Sequence, residues 1–126
     1  MDTSAALKLL VAEPETAALK GHLGQLPLGT TLVASFLLHT ELHCAIARRA
    51  AGVEPANVDR VLASIVLFDL VRGDLLTAAA LPGRLRTNDA LHLAAALRLA
   101  VDALLTYDDE LSAAARRAGL AVVSPS

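Results

Sequence analysis

Four carboxylates are the residues of this 126-residue chain best placed to do chemistry together: Asp2, Glu41, Asp89 and Asp108. Asp2, Asp89 and Asp108 stand where a loop or strand gives way to a helix, and Glu41 stands a turn or so into a helix that follows a strand. In a parallel α/β sheet the junctions after strands share one edge, where reacting groups collect. Carboxylates crowded there repel one another strongly. Such a cluster is stable mainly when a hard cation neutralises it, and oxygen-only ligands suit Mg²⁺ or Mn²⁺. Those ions serve phosphate chemistry, activating water and stabilising charge on phosphoryl oxygens.

The elements that must position these acids follow from the apolar pattern. From Thr87 to Asp108 the chain reads TNDALHLAAALRLAVDALLTYD: loop, helix, buried strand and turn, with an acid near each end. Asp89 opens the helix, whose apolar face is Leu91, Leu93, Ala94, Leu97 and Ala100. Ala103 to Thr106 is a short apolar strand of the kind buried in a parallel sheet. Further strands are expected at Thr31–Ala34, Phe68–Val71 and Leu120–Val123. Helices are expected at Ala5–Ala12, Glu15–His22, Phe36–Ala51 (capped by Ser35), Val58–Leu67 and Asp74–Ala80, and a last one opened by Asp108-Asp109-Glu110 that stops at Gly119. Strands alternating with helices indicate a parallel sheet covered on both faces. One α/β domain over residues 1–126 is the expected organisation, without repeats or low-complexity tracts.

Each acid alone has a structural explanation. Asp2, Asp89 and Asp108 would all serve as helix N-terminal caps or dipole partners, and Asp109 and Glu110 are read as helix-start acids of that kind. Glu41 lies beside an apolar stripe of Leu37, Leu38, Leu42, Ala45 and Ile46, with no Lys or Arg at i±3 or i±4. It therefore either faces solvent or is compensated by a cationic group from elsewhere in the fold. His39 and His43 have the i, i+4 spacing of a zinc pair, but Glu41 is not on their face as the zincin pattern requires. The pair reads as a solvent-facing or core-edge feature.

Composition narrows the classes further. With no Trp, one Tyr and two Phe, recognition by base stacking is disfavoured. A net charge of −2 offers no global field for nucleic acid, so any such contact is local. The arginine pairs Arg48-Arg49, Arg84 with Arg86, and Arg116-Arg117 are the candidates, each alone better explained as a solvated helix end. The single cysteine, Cys44, cannot form an internal disulfide and is expected to be a small core residue. No leader or membrane-spanning run is seen, which implies a soluble cytoplasmic protein.

MDTSA at the start, TEL around Glu41, NDALHLAAA around Asp89 and DALLTYDDEL around Asp108 resemble the PIN-domain fold, and in particular the ribonuclease toxins of VapBC-type toxin–antitoxin pairs. The resemblance spans essentially the whole chain. Its most specific part is D-A-L-H-L-A followed at this spacing by L-L-T-x-D-x-x-L. It implies a PIN-like (Rossmann-like) fold and a metal-dependent endoribonuclease whose acidic quartet is Asp2, Glu41, Asp89 and Asp108, binding one or two Mg²⁺ or Mn²⁺ ions. Thr3 or Ser4 would supply a hydroxyl near the first Asp, and Thr106 would orient Asp108. The resemblance further implies an RNA substrate, a homodimer, and inhibition by a cognate antitoxin that covers the groove. One departure stands out: family chains begin with an apolar first strand, whereas here only Met1 precedes Asp2. That stub is expected to weaken the centre of the sheet, loosen Asp2 and bring the α-amino group near the acids.

Two other classes compete with this reading. A catalytically silent, partner-binding domain would keep the acids only as helix caps. A phosphatase or receiver domain would place a Lys late in the chain, but the only lysines are Lys8 and Lys20.

Overall fold

A computed structural model describes residues 1–49 and 52–126. The described elements in chain order are α1 (Thr3–Lys8), α2 (Thr16–Gly24), β1 (Val33–Ser35), α3 (Leu37–Arg48), α4 (Pro55–Leu62), β2 (Val66–Phe68), α5 (Arg72–Ala80), α6 (Thr87–Arg98), β3 (Ala103–Leu105), α7 (Asp109–Arg117) and β4 (Ala121–Val123). All strand pairing is parallel, with β1 beside β2 and β3 beside β4.

The two strand pairs are joined by the first two residues. The α-amino group of Met1 donates to the Val33 carbonyl at 3.1 Å, and the Asp2 N–H donates to the Leu105 carbonyl at 3.1 Å. The stub therefore lies between β1 and β3, the central position expected of a first strand. It does not leave Asp2 loose. Asp2 is only 2% exposed, and its carbonyl also accepts the Ala6 N–H. The α-amino group bonds to a carbonyl and makes no ion pair with an acid among the described residues. Burial lowers its pKa, partly opposed by the Asp2 charge.

Neighbouring residues of β3 show how the sheet is covered on both faces. Side chains alternate along a strand, and Leu105 packs with Ala5, Leu38, Leu42 and Val58 while Leu104 packs with Leu93, Leu111, Ala115 and Leu120. The first cluster fixes α1, α3 and α4, and the second fixes α6 and α7. Leu42, Leu93 and Leu111 are fully buried, so truncating any of them to Ala removes about 2–5 kcal/mol.

Several expected boundaries move, for local reasons. The helix expected over Val58–Leu67 begins earlier, with Pro55 in the first turn where its missing N–H costs nothing. It ends at Leu62, and the apolar, β-branched run that follows becomes β2 at Val66–Phe68 in place of Phe68–Val71. α5 starts at Arg72 because buried Asp74 reaches back to accept the Val71 N–H at 3.0 Å and is held by Arg98 at 2.8 and 3.1 Å. α1 stops at Lys8, whose carbonyl accepts the Thr16 hydroxyl. Ser35 ends β1 and does not cap α3: its hydroxyl is buried with no hydrogen-bond partner among the described residues, and Phe36 takes the cap position. The expected end of α3 at Ala51 lies outside the described residues.

α6 and α7 end in the same way. In each, the last turn closes with paired bonds from the two residues beyond the cap: Ala100 to Leu97 and Val101 to Ala96, and Gly119 to Arg116 and Leu120 to Ala115. This closure needs a left-handed residue, supplied by Gly119 at φ 86° and by Ala100 at φ 52°.

Candidate active site

The four predicted acids line one groove of about 690 Å³, together with Thr3, Ser4, Cys44, Arg48, Arg86 and Asn88. A second groove of about 720 Å³ contains none of the four acids. The first is the chemically relevant one. Among the described residues no group of three or more Asp, Glu, His or Cys side chains is arranged to hold a metal ion. The acids face a common space, each with its own local partners.

Asp2 is the most firmly held. As N-cap of α1, its Oδ1 accepts the Ala5 N–H at 3.2 Å and the Ser4 hydroxyl at 2.7 Å. Its Oδ2 accepts the Thr106 hydroxyl at 2.7 Å. Thr106 is fully buried, and its Oγ1 also accepts the Asp108 N–H at 3.1 Å. Ser4 Oγ accepts the Tyr107 N–H at 2.9 Å. The β3–α7 turn and the start of α1 thus form one hydrogen-bonded unit, with Thr106 tied to both Asp2 and Asp108.

Glu41 receives donors from two other elements, α1 and α6. Thr3 Oγ1 donates to Oε1 at 2.9 Å, Asn88 Nδ2 donates to Oε2 at 2.9 Å, and His92 Nε2 makes a close contact with Oε1. Burial opposes ionisation of Glu41. The hydrogen bond and charge of His92, with the bonds from Thr3 and Asn88, outweigh it and hold the carboxyl below its usual value. Thr3 therefore serves Glu41, while Ser4 serves Asp2.

Asp89 and Asp108 are arranged differently from each other. Asp108 is the N-cap of α7, its Oδ1 accepting the Leu111 N–H at 2.7 Å. Asp89 lies in the first turn of α6 but is not its cap; Arg86 takes that position, without a side-chain cap bond. The Asp89 side chain is 17% exposed, and its partner is Arg86 Nε at 3.3 Å. Arg86 also reaches Asp108 Oδ2, at 3.4 Å. Burial, and then the charge of Asp108, push the Asp89 carboxyl above its usual value, and Arg86 opposes this only in part.

Asn88 and His92 are not singled out by the sequence, and Arg86 enters there only as half of a candidate nucleic-acid-contacting pair, not as a partner of the acids. Asn88 and His92 are i, i+4 on one face of α6, and His92 interrupts an otherwise apolar buried run from Ala90 to Ala96. That interruption was a usable signal. Arg86 stands i−3 to Asp89, also readable, but its contact with Asp108 needs the fold. The histidine pair lies elsewhere: His43 meets Asp59 at 3.0 Å, and its ring lies 4.8 Å from His39. Cys44 corrects its expectation. It is exposed and lines the groove, because α3 buries Leu38, Leu42 and Ile46 and turns Cys44 to the other side.

Comparison with known proteins identifies the family. The PIN domain family model matches residues 1–117. Ribonuclease VapC46 of Mycobacterium tuberculosis is 40% identical over 100% of this chain and 96% of its own length. Ribonuclease VapC47 of the same species is 34% identical over 99% and 95%. Among solved structures, M. tuberculosis VapC20, described as a Sarcin-Ricin loop cleaving toxin, superposes with a TM-score of 0.76 over 98% of this chain and 97% of its own, at 16% identity; that likeness shows the fold. The chain is a PIN-domain protein. Within that class it belongs to the VapC ribonuclease family.

Proposed function

We propose that this protein is a Mg²⁺- or Mn²⁺-dependent endoribonuclease, the toxin of a toxin–antitoxin pair, with Asp2, Glu41, Asp89 and Asp108 as the groups that hold the ion. The carrying observation is the Asp89–Asp108 couple: two neighbouring carboxylates, one of them raised by burial and by the other's charge, sharing a single exposed guanidinium. A donor set made only of carboxylate oxygens suits a hard divalent cation. When bound, the ion activates water and stabilises charge on the phosphodiester. The chain's own groups do the positioning. Ser4 and Thr106 fix Asp2 and couple it to the turn that carries Asp108, and His92, Asn88 and Thr3 keep Glu41 ionised.

RNA is the proposed substrate, and an antitoxin covering the acidic groove is the proposed protein partner. A homodimer is proposed along β2 and the start of α5, where Val66, Phe68, Val71, Leu75 and Leu76 expose apolar side chains beside Phe36; light scattering checks it. Among the described residues no helix is long and apolar enough to cross a membrane, and with a single cysteine the protein suits the reducing cytoplasm.

Asp2 and Asp108 do serve as caps, which keeps a silent partner-binding domain as the second reading. Cleavage of a tRNA and rRNA pool by purified protein, with Mg²⁺, Mn²⁺ or EDTA and beside Asp89→Asn, separates the two. Metal-dependent fragments that vanish in the variant are expected. Failure to cleave with either ion would leave the silent domain.

A further inference from the structure

Arg86 stands at the rim of the groove with its side chain 79% exposed, in contact with one oxygen of Asp89 at 3.3 Å and one of Asp108 at 3.4 Å. Both separations exceed the roughly 2.7–2.9 Å of strong charge-assisted bonds, and exposed pairs of this kind hold weakly. A guanidinium carries five N–H donors in a fixed fork. Arg86 commits two of them, and the others meet no protein acceptor among the described residues.

The two contacted oxygens belong to acids proposed to hold the divalent ion, so ion and guanidinium make competing demands on them. Two cations at one pair of carboxylates repel each other, and the exposed, flexible one gives way. An incoming RNA strand offers a better partner, because a phosphate accepts the arginine fork through two parallel bonds. Arg48, at the end of α3, lines the same groove and makes no hydrogen bond or ion pair among the described residues. It supplies an internal control: a groove arginine that touches no acid.

We propose that Arg86 is an exchangeable, substrate-positioning arginine, which leaves Asp89 and Asp108 when a divalent cation takes them and then grips an RNA phosphate next to the one that is cut. This rests on the ribonuclease reading. It requires effects of opposite sign on the two ligands. Losing Arg86 removes a competitor for metal and a contact for RNA, a combination that general damage to the groove does not produce.

The experiment compares the full chain with Arg86→Ala, Arg86→Lys and Arg48→Ala. Mn²⁺ binding is measured by calorimetry without RNA, and steady-state cleavage of a mixed-sequence RNA is followed at saturating Mn²⁺ over a salt series. Arg86→Ala is expected to bind Mn²⁺ about threefold more tightly, as loss of weak exposed pairs allows. It is expected to raise KM about tenfold and to lower the salt slope by about one, with a much smaller change in kcat. Arg86→Lys keeps the charge without the fork and falls between. Arg48→Ala leaves Mn²⁺ affinity unchanged. The proposal is overturned if Arg86→Ala cleaves with unaltered KM and salt slope, or if it binds Mn²⁺ no more tightly than the unaltered chain. Absence of metal-dependent cleavage by the unaltered chain overturns the ribonuclease reading itself, an outcome distinct from normal cleavage by an indifferent variant.

Discussion

Glu41 on α3 and Asp89 on α6 face the same groove, yet their carboxyls are pushed in opposite directions. Glu41 collects donors from Thr3, Asn88 and His92 and is held below its usual value despite burial. Asp89 takes no backbone bond among the described residues, feels Asp108, and is held above its usual value despite Arg86. One wall of the groove is satisfied by the protein. The other carries a charge that the protein compensates only in part. A site whose charge is completed by a ligand needs that second kind of wall, and the first kind keeps it in place. Instability is concentrated where binding relieves it.

The largest test of this contrast is Asp89→Asn. RNA cleavage is expected to fall at least about a hundredfold, since a proposed ligand to the ion is lost. In EDTA at neutral pH, thermal melting should show the variant slightly more stable than the unaltered chain. The sign follows from linkage: a folded pKa raised above the unfolded one contributes stability below the unfolded value, lost as pH rises through the folded value. Replacing Asp89 removes that loss. A fall in Tm would mean that Asp89 is a structural acid after all.

Thr106→Val comes next. It takes the buried hydroxyl from both Asp2 and the Asp108 N–H and should cost about 1–3 kcal/mol in chemical denaturation. Cleavage should fall with it, as two acids lose their registration. Unchanged stability would show that Asp2 does not depend on this turn.

Acid titration of stability probes the other wall. Glu41 has a lowered pKa, so its contribution is present above the ordinary glutamate value and lost as pH falls through the folded one. Glu41→Gln should therefore flatten the acid limb of a Tm–pH curve. An unaltered limb would indicate that His92 and Asn88 do not favour the ionised form.

The smallest effect belongs to the helix ends. Gly119 meets its left-handed turn without strain, whereas Ala100 does not, so Ala100→Gly should raise stability by about 0.5–1 kcal/mol. A loss in denaturant melts would place the strain elsewhere.

Much of this was legible in the chain itself. The alternation of apolar runs with helical periodicity carries the parallel α/β order, and β3 falls within one residue of its expected limits because its run is short, apolar and bounded by polar residues. The junction acids were readable because helix starts and strand ends have characteristic residues. Glu41 was not resolved, because the groups that settle it lie 38, 47 and 51 positions away in sequence. Neighbours at i±3 and i±4 are silent about such partners. β2 was displaced for a related reason: a continuous apolar run from Ile65 to Leu67 fits the end of a helix or a strand equally well, and tertiary packing decides.

The exposure of Cys44 on the groove-facing side of α3 has a practical consequence. It is the chain's only thiol, it follows Glu41 by less than one helical turn, and it shares the groove with the acids. A fluorophore or spin label attached there would sit at a unique address, with no background cysteine to remove. The same atom that plays no part in the proposed chemistry becomes a window on when RNA or an inhibitory partner occupies the groove.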